Sequence, residues 1–346
     1  MLFIKQTILS LLLPGWHLLH RKHIVILMLH GVMDKESADS SWTPMRTQIS
    51  PQQLDNALKV LAKKYTFISL AHAVDMLMGI KPIEPHCMVL TFDDGYRNNL
   101  THALPILSKY RAPATIFLST GHITQREPFW YDRMDYAIQR LPKNHEIQLD
   151  SRVIKFIQGN RLSLAAAFKE LRYALKGNPD NYSNTLIKIN EIVAELEDQA
   201  EQSLRDIFEA DAWTSLMTWD EVETAVQQGV TFGSHTVDHV LLGKMEEDMI
   251  REQLIVSRET IEKYTGIQCQ FLCYPDGSFS SQVCNIAEQC GYKSAVTIME
   301  GLNCPGNVPL LSLYRNSFPN AERADSIFGV ASGFYAYLQG NTDCAC

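Results

Sequence analysis

The chain has 346 residues, 46% of them apolar and 20% charged, enough to bury a sizeable core as one large domain or two modest ones. Its 31 basic and 39 acidic residues leave a formal net charge of -8, and no block rich in Lys and Arg stands out, which argues against nucleic acid as a partner. Its 8 cysteines lack the repeated two-residue spacing of a zinc knuckle, and several, such as Cys87 and Cys269, sit in apolar runs, as buried thiols in a reducing compartment would.

Met1 to Leu19 is mostly apolar, with Lys5 near its start and Arg21-Lys22 after it, but Pro14-Gly15 breaks the run and no small-residue cleavage site follows. The run is too short and too broken for a membrane span. Residues 1–23 are therefore expected to dock on the domain or lie on a membrane surface rather than to act as a signal peptide, in a cytoplasmic or membrane-peripheral protein, with secretion as the less favoured alternative. Ile24 to Leu29 is a buried-strand signal that delivers His30 and then the turn residue Gly31. Ser50 caps a helix that starts at Pro51 and carries Leu54, Leu58 and Leu61. A short strand, Phe67 to Leu70, and a short helix, Ala71 to Leu77, follow.

Cys87 to Leu90 is again a continuous apolar run, the pattern of a parallel strand buried on both faces. It ends in Thr91-Phe92-Asp93-Asp94-Gly95-Tyr96, and adjacent acids at the carboxyl end of such a strand stand where ligands bind in parallel sheets. A helix cap would use one acid, not two. A helix to about Tyr110 and the strand Ala114 to Leu118 continue the alternation, which implies parallel βαβ units with right-handed crossovers. Residues 124–212 break the rhythm: they are polar, charged and helix-prone, and are expected to form a helical insertion over the mouth or side of the fold. Thr218 and Glu221 form a capping box, the helix runs to Gln228, and the strand Val230 to Gly233 delivers Ser234-His235-Thr236-Val237-Asp238-His239. A long amphipathic helix from about Glu246 to Tyr264 follows, then strand signals at Cys269 to Tyr274, Ala295 to Ile298 and Leu310 to Tyr314; residues 321–346 are expected to be a tail.

His235 and His239 stand at i and i+4, the spacing that unites two imidazoles on one helical turn. Two His and one carboxylate make a half-shell for a divalent metal, with open positions for water and substrate; the second acid is left free to act as a base. On these residues the sequence resembles the polysaccharide deacetylase family, across roughly residues 24–122 and 215–318. Thr91-Phe92-Asp93-Asp94-Gly95 matches its first motif and His235-Thr236-Val237-Asp238-His239 its second, and Met28 to Val32 and Tyr274-Pro275-Asp276-Gly277 look like further recurring segments. The resemblance implies a distorted (β/α) barrel, an α/β fold, acting as a metal-dependent hydrolase that removes an acetyl group from an amino sugar or glycan. It implies Asp94, His235 and His239 as ligands of a divalent ion, commonly zinc, and Asp93 as general base. Tyr96, Tyr274 and Pro275 are expected near the substrate, and Trp130 and Tyr131 offer flat faces on which sugars stack.

Two departures from the family pattern stand out. The third motif, which often carries an Arg paired with the base, is here Phe271-Leu272-Cys273-Tyr274-Pro275, so that Arg is expected to be missing. The fifth, which often carries a His as general acid, is Leu311-Ser312-Leu313-Tyr314-Arg315, leaving His30 as the replacement acid. Two rival readings are a glycan-binding pseudoenzyme that lost its acid and a non-haem iron oxygenase. Asp93 argues against the first, and the more than one hundred residues between acid and His pair against the second.

Overall fold

The computed structural model describes residues 12–38, 42–46, 48–149, 151–176, 182–306 and 309–340. Ten strands are present among them: β1 (Val25–Leu29), β2 (Thr66–Phe67), β3 (Cys87–Phe92), β4 (Ala114–Leu118), β5 (His145–Leu149), β6 (Arg152–Phe156), β7 (Thr231–Ser234), β8 (Phe271–Cys273), β9 (Ser294–Val296) and β10 (Asn316–Ser317). Eight of them form one sheet in the order β10-β1-β3-β4-β7-β8-β9, with β2 beside the start of β3, and every pairing is parallel.

Side-chain alternation divides the core into two layers. Ile24, Ile26, Val89, Phe117, Phe271 and Val296 cluster inside the curled sheet, while Leu27, Leu90, Phe92, Ile116 and Leu272 pack outward against the helices. Gly233 faces inward: a Cβ there would meet the Phe117 ring at 2.7 Å and the Phe271 carbonyl at 2.9 Å. The two ends of the sheet meet through one broken segment. Leu313 bridges to Val296 of β9, and three residues later Asn316 pairs with Leu27 of β1. The expected strand at Leu310 to Tyr314 is instead a 3-10 turn over Leu310–Ser312 followed by this closing segment.

Helix Pro51–Leu61 begins as expected, with Ser50 and Gln53 in a reciprocal capping box, as does helix Trp219–Gln227 with Thr218 and Glu221. The insertion differs from a purely helical one. Its helices Trp130–Ile138, Arg161–Lys176 and Tyr182–Ala200 surround the antiparallel hairpin β5-β6, whose apolar Ile147, Leu149, Ile154 and Phe156 feed a separate core. Alternation in these short strands is masked by their charged outer residues. Residues 321–340 also depart from the expected tail: helices Ala324–Ala331 and Phe334–Leu338 bury Ile327, Phe328 and Phe334 in the main core. Against them docks a helical turn at residues 12–19, where Trp16 donates its indole N–H to the Ser332 carbonyl at 3.1 Å.

No helix among the described residues is long and apolar enough to cross a membrane. Cys87, Cys269, Cys273, Cys284 and Cys290 are free, but Cys304 is disulfide-bonded, so the expectation of thiols throughout does not hold.

Candidate metal centre and active site

Parallel register brings the chemistry to one edge. Leu29 pairs with Phe92, so His30 and Asp93 leave their strands side by side, and the Asp93 amide donates to the Leu29 carbonyl at 2.9 Å. Leu118 pairs with Ser234, and the His235 amide donates to the Leu118 carbonyl at 2.9 Å. Alternation alone would send Asp93 and Asp94 to opposite faces. Asp94 has φ 78°, a left-handed conformation, and this turns its carboxylate back over the barrel mouth beside the histidines.

The His pair converges by a route the spacing did not suggest. Residues 235–240 contain no helical turn; Thr236 (φ 66°) and His239 (φ 52°) are both left-handed, and for a β-branched Thr that is strained. The loop is held from outside. Gln253, on helix Glu247–Thr265, accepts from the amides of Val237 and Asp238 at 3.0 Å each, and its own amide donates to the Asp238 carboxylate at 2.6 Å.

Asp94 Oδ1 lies 3.6 Å from His235 Nε2 and 3.4 Å from His239 Nε2, and all three residues are buried. His235 Nδ1 is 2.8 Å from the Cys273 carbonyl oxygen, which can only accept, so Nδ1 carries a hydrogen and Nε2 faces the centre. Burial pushes His239 down to about 4, so this imidazole is neutral near pH 7. Asp94 Oδ1 is buried without a hydrogen-bond partner. Two imidazole nitrogens and an orphaned carboxylate oxygen facing one another are a donor set that a divalent cation satisfies, and these ligand atoms lie within 4.8 Å of one another. The other carboxylate oxygen accepts from Tyr131 Oη at 3.3 Å.

Asp93, His235 and Cys273 form a second close triplet. It suits a metal less well, because burial pushes the Cys273 thiol well above its ordinary value and Asp93 is engaged elsewhere. Both Asp93 oxygens accept from one guanidinium: Arg315 Nη1 at 2.7 Å and Nη2 at 2.8 Å. Arg315 is fully buried, and its remaining hydrogens go to the Thr297 carbonyl at 2.7 Å and to Thr91 Oγ1 and Cys273 Sγ at 3.1 Å each. Burial would raise the Asp93 carboxyl, but Arg315 outweighs it and holds Asp93 below its ordinary value, ionised.

A family model described as polysaccharide deacetylase matches residues 81–167 and 182–295. The chain belongs to the polysaccharide deacetylase family. Among curated relatives of this deacetylase-family chain, YxkH of Bacillus subtilis (strain 168), whose name places it among the polysaccharide deacetylases, is 20% identical over 240 residues, 68% of this chain and 53% of YxkH. The poly-beta-1,6-N-acetyl-D-glucosamine N-deacetylase of Escherichia coli (strain K12) is 33% identical over 90 residues, 26% of this chain and 13% of that protein. The chain thus spans about half the length of the first relative and far less of the second. In fold it is similar to the Streptococcus pyogenes deacetylase PplD (TM-score 0.56, 20% identity, 89% of this chain and 98% of that one). It is similar too to IcaB from Ammonifex degensii (TM-score 0.55, 17% identity, 90% and 97%). Their shared architecture is the distorted (β/α) barrel expected from the motifs.

Against the family pattern, one expected departure disappears. An Arg paired with Asp93 is present as Arg315, supplied by the closing segment rather than by the run Phe271 to Pro275. His30 lines a cavity of about 220 Å3 with Arg46, Tyr96 and Asp132; burial pushes its imidazole below its ordinary value, opposed by the negative charge of Asp94 and Asp93. Tyr96 forms part of this wall, its hydroxyl donated to Asp132 at 2.8 Å. Tyr274 and Pro275 are placed differently from expectation. Both are buried, and Tyr274 stacks on Phe279 at 5.2 Å and donates to the Leu311 carbonyl at 2.9 Å, so neither offers a face to a sugar. Tyr131 is likewise buried, stacked on Phe129 at 5.1 Å, while Trp130 stays half-buried. Arg46, Tyr131, Gln253 and Arg315 carry roles that sequence reasoning missed; only Arg315, the one Arg near a deacetylase-like fifth motif, left a signal there.

Proposed function

We propose that this chain hydrolyses the acetyl group from an acetylated amino sugar of a glycan, with a divalent cation, zinc first, held by Asp94, His235 and His239. The observation that carries this reading is the orphaned, buried Asp94 Oδ1 facing two imidazole nitrogens, directly beside an ionised Asp93. The name of the Escherichia coli relative supports an N-acetylglucosamine polymer as substrate. A divalent ion held in this cradle would lower the pKa of bound water toward about 7 and polarise the acyl oxygen.

Asp93 accepts the proton of the water as it adds to the acyl carbon. Arg315 grips both Asp93 oxygens in its fork, fixing their direction at the cost of some basicity, since it also holds the carboxylate ionised. His235 and His239 turn their Nε2 atoms to the centre, and Tyr131 orients Asp94. His30, at the end of the strand beside Asp93, relays to the leaving nitrogen the proton that Asp93 took from the water, as the carbon–nitrogen bond breaks, giving acetate and a free amine and leaving both side chains as they began. Contact with a membrane surface belongs to the same reading and is supported by the exposed Leu12, Leu18 and Leu19 beside Arg21 and Lys22.

The test is acetate release from N-acetylated glucosamine oligomers and O-acetylated glycans by protein stripped with chelator and reloaded with zinc, cobalt or nickel. Release that depends on reloading is expected. Metal bound with no release from any substrate of the panel would leave a glycan-binding protein instead.

A further inference from the structure

The acidic chain gathers cations beside its reaction centre. Tyr131, whose hydroxyl reaches Asp94, has Phe129 stacked on its ring at an interplanar angle of 7°. Around the same ring lie Arg46 Cζ at 4.4 Å from the centroid, Arg172 Cζ at 5.5 Å and Lys176 Nζ at 5.9 Å. The ion pairs nearby do not balance them, and Asp132, which also faces Arg46, has its carboxylate engaged by the Tyr96 hydroxyl. Asp276 pairs with both Arg172, at 3.2 Å, and Lys176, one carboxylate for two cations. Arg46 has Asp94 at 3.9 Å, but the metal centre also claims that carboxylate.

Arg46 Nη1 and Arg172 Nε are buried and without acceptors, an arrangement that costs free energy until an anion supplies them. The side chains keep 25%, 23% and 14% of their surface, so an incoming group can reach them. All three residues lie outside the stretches that match the family model, 81–167 and 182–295, and two of them come from the insertion helix Arg161–Lys176. Nothing in the acyl-transfer chemistry uses them.

We infer that Arg46, Arg172 and Lys176 form a subsite for an anionic substituent, a phosphate or carboxylate carried on or next to the acylated sugar. This rests on the deacetylase reading and narrows its substrate class from neutral glycans to charged ones. Guanidinium forks suit such groups, since two parallel N–H donors match two oxygens.

The experiment compares kcat/KM for acetate release from three substrates by the zinc-loaded full chain: a neutral N-acetylglucosamine trisaccharide, its 1-phosphate, and a trisaccharide ending in a uronic acid. The expected result is a preference of about tenfold or more for one anionic form, mainly in KM, shrinking as salt rises. The phosphate and carboxylate arms identify the source. Arg172→Gln combined with Lys176→Gln brings the preference to within about twofold, whereas Asp276→Asn, which leaves the cations in excess, enlarges it. Asn tolerates the left-handed backbone at position 276 (φ 51°), and an effect of opposite sign is not what a damaged fold produces.

Equal kcat/KM for neutral and anionic substrates would overturn the inference, as would a preference untouched by the double substitution. If no substrate releases acetate, the deacetylase reading fails by itself. The subsite is then decided by calorimetric titration of N-acetylglucosamine 1-phosphate and N-acetylglucosamine into metal-free protein, where phosphate has no ion to ligate. Tighter binding of the phosphate form, lost in the double variant, upholds it; equal binding refutes it.

Discussion

Replacing Arg315 by Met keeps most of the side-chain volume and removes the charge, so its effect isolates the Asp93 pair. In the wild type both Asp93 oxygens are satisfied by one guanidinium with no exposed surface. Arg315→Met leaves a buried carboxylate alone, and breaking a buried pair from one side costs about 3 to 5 kcal/mol. With a urea m-value of about 3 kcal/mol/M, that moves the unfolding midpoint down by roughly 1 to 1.7 M. Asp93→Asn alone strands the guanidinium and should cost a similar amount. The double variant removes both charges, and two neutral side chains of similar shape restore much of the loss. Urea unfolding in chelator, followed by circular dichroism, gives all four corners of the cycle without a metal contribution. An additive double variant, or a loss below about 1 kcal/mol for Arg315→Met, would refute the view that this pair is a coupled buried unit.

Asp94→Ala is expected to lose bound zinc and activity together, whereas Asp93→Asn keeps zinc by elemental analysis and loses turnover by about 100-fold or more. His30→Gln should likewise keep zinc but lower kcat by about 100-fold; unchanged turnover would remove His30 from the mechanism. Asp135 is buried, and that burial pulls its carboxyl up to about 6, against acceptance from the Met45 amide and the Gln139 side chain at 2.7 Å each. Its folded value lies above its unfolded one, so the folded state holds the extra proton and stability falls as pH rises from about 4 to about 6. The penalty is complete above that window, at most about 3 kcal/mol. Asp135→Asn should therefore gain melting temperature relative to wild type between pH 5 and pH 8; a constant gap across that range would contradict the assignment. Gly233→Ala forces a methyl against the Phe117 ring and the Phe271 carbonyl and should cost about 1 to 3 kcal/mol in the same urea assay.

The readable part of the protein was the part where physics leaves a linear trace. Parallel strands covered on both faces are continuous apolar runs, so His30, Asp93 and His235 stood out as polar groups at their ends, and register then made them neighbours. Spacing misled where conformation decides: His235 and His239 meet over a loop with two left-handed residues, a geometry that four-residue spacing on a helix also mimics. Arg315 was hidden for another reason. What Asp93 needs is a guanidinium beneath it, and the chain supplies one from 222 positions away, through a segment whose apolar start looked like an ordinary strand. The hairpin inside the insertion went unseen because Glu146, Arg152 and Lys155 dilute the alternation of two five-residue strands. Tyr131 and Arg46 belong to segments without strong periodicity, and only their packing shows that they converge on Asp94.

The segment from Leu313 to Ser317, which joins β9 to β1, has a consequence in time. Asp93 emerges early in synthesis and its counter-charge comes 222 residues later, so most of the chain must be made before this carboxylate has a partner. Until then β1 lacks a neighbour on one flank, β9 lacks its bridge, and the interior holds an uncompensated carboxylate. Contacts of such sequence separation are slow to close. Closure of the sheet and the pairing of Asp93 with Arg315 are therefore one event, since the same short segment supplies both.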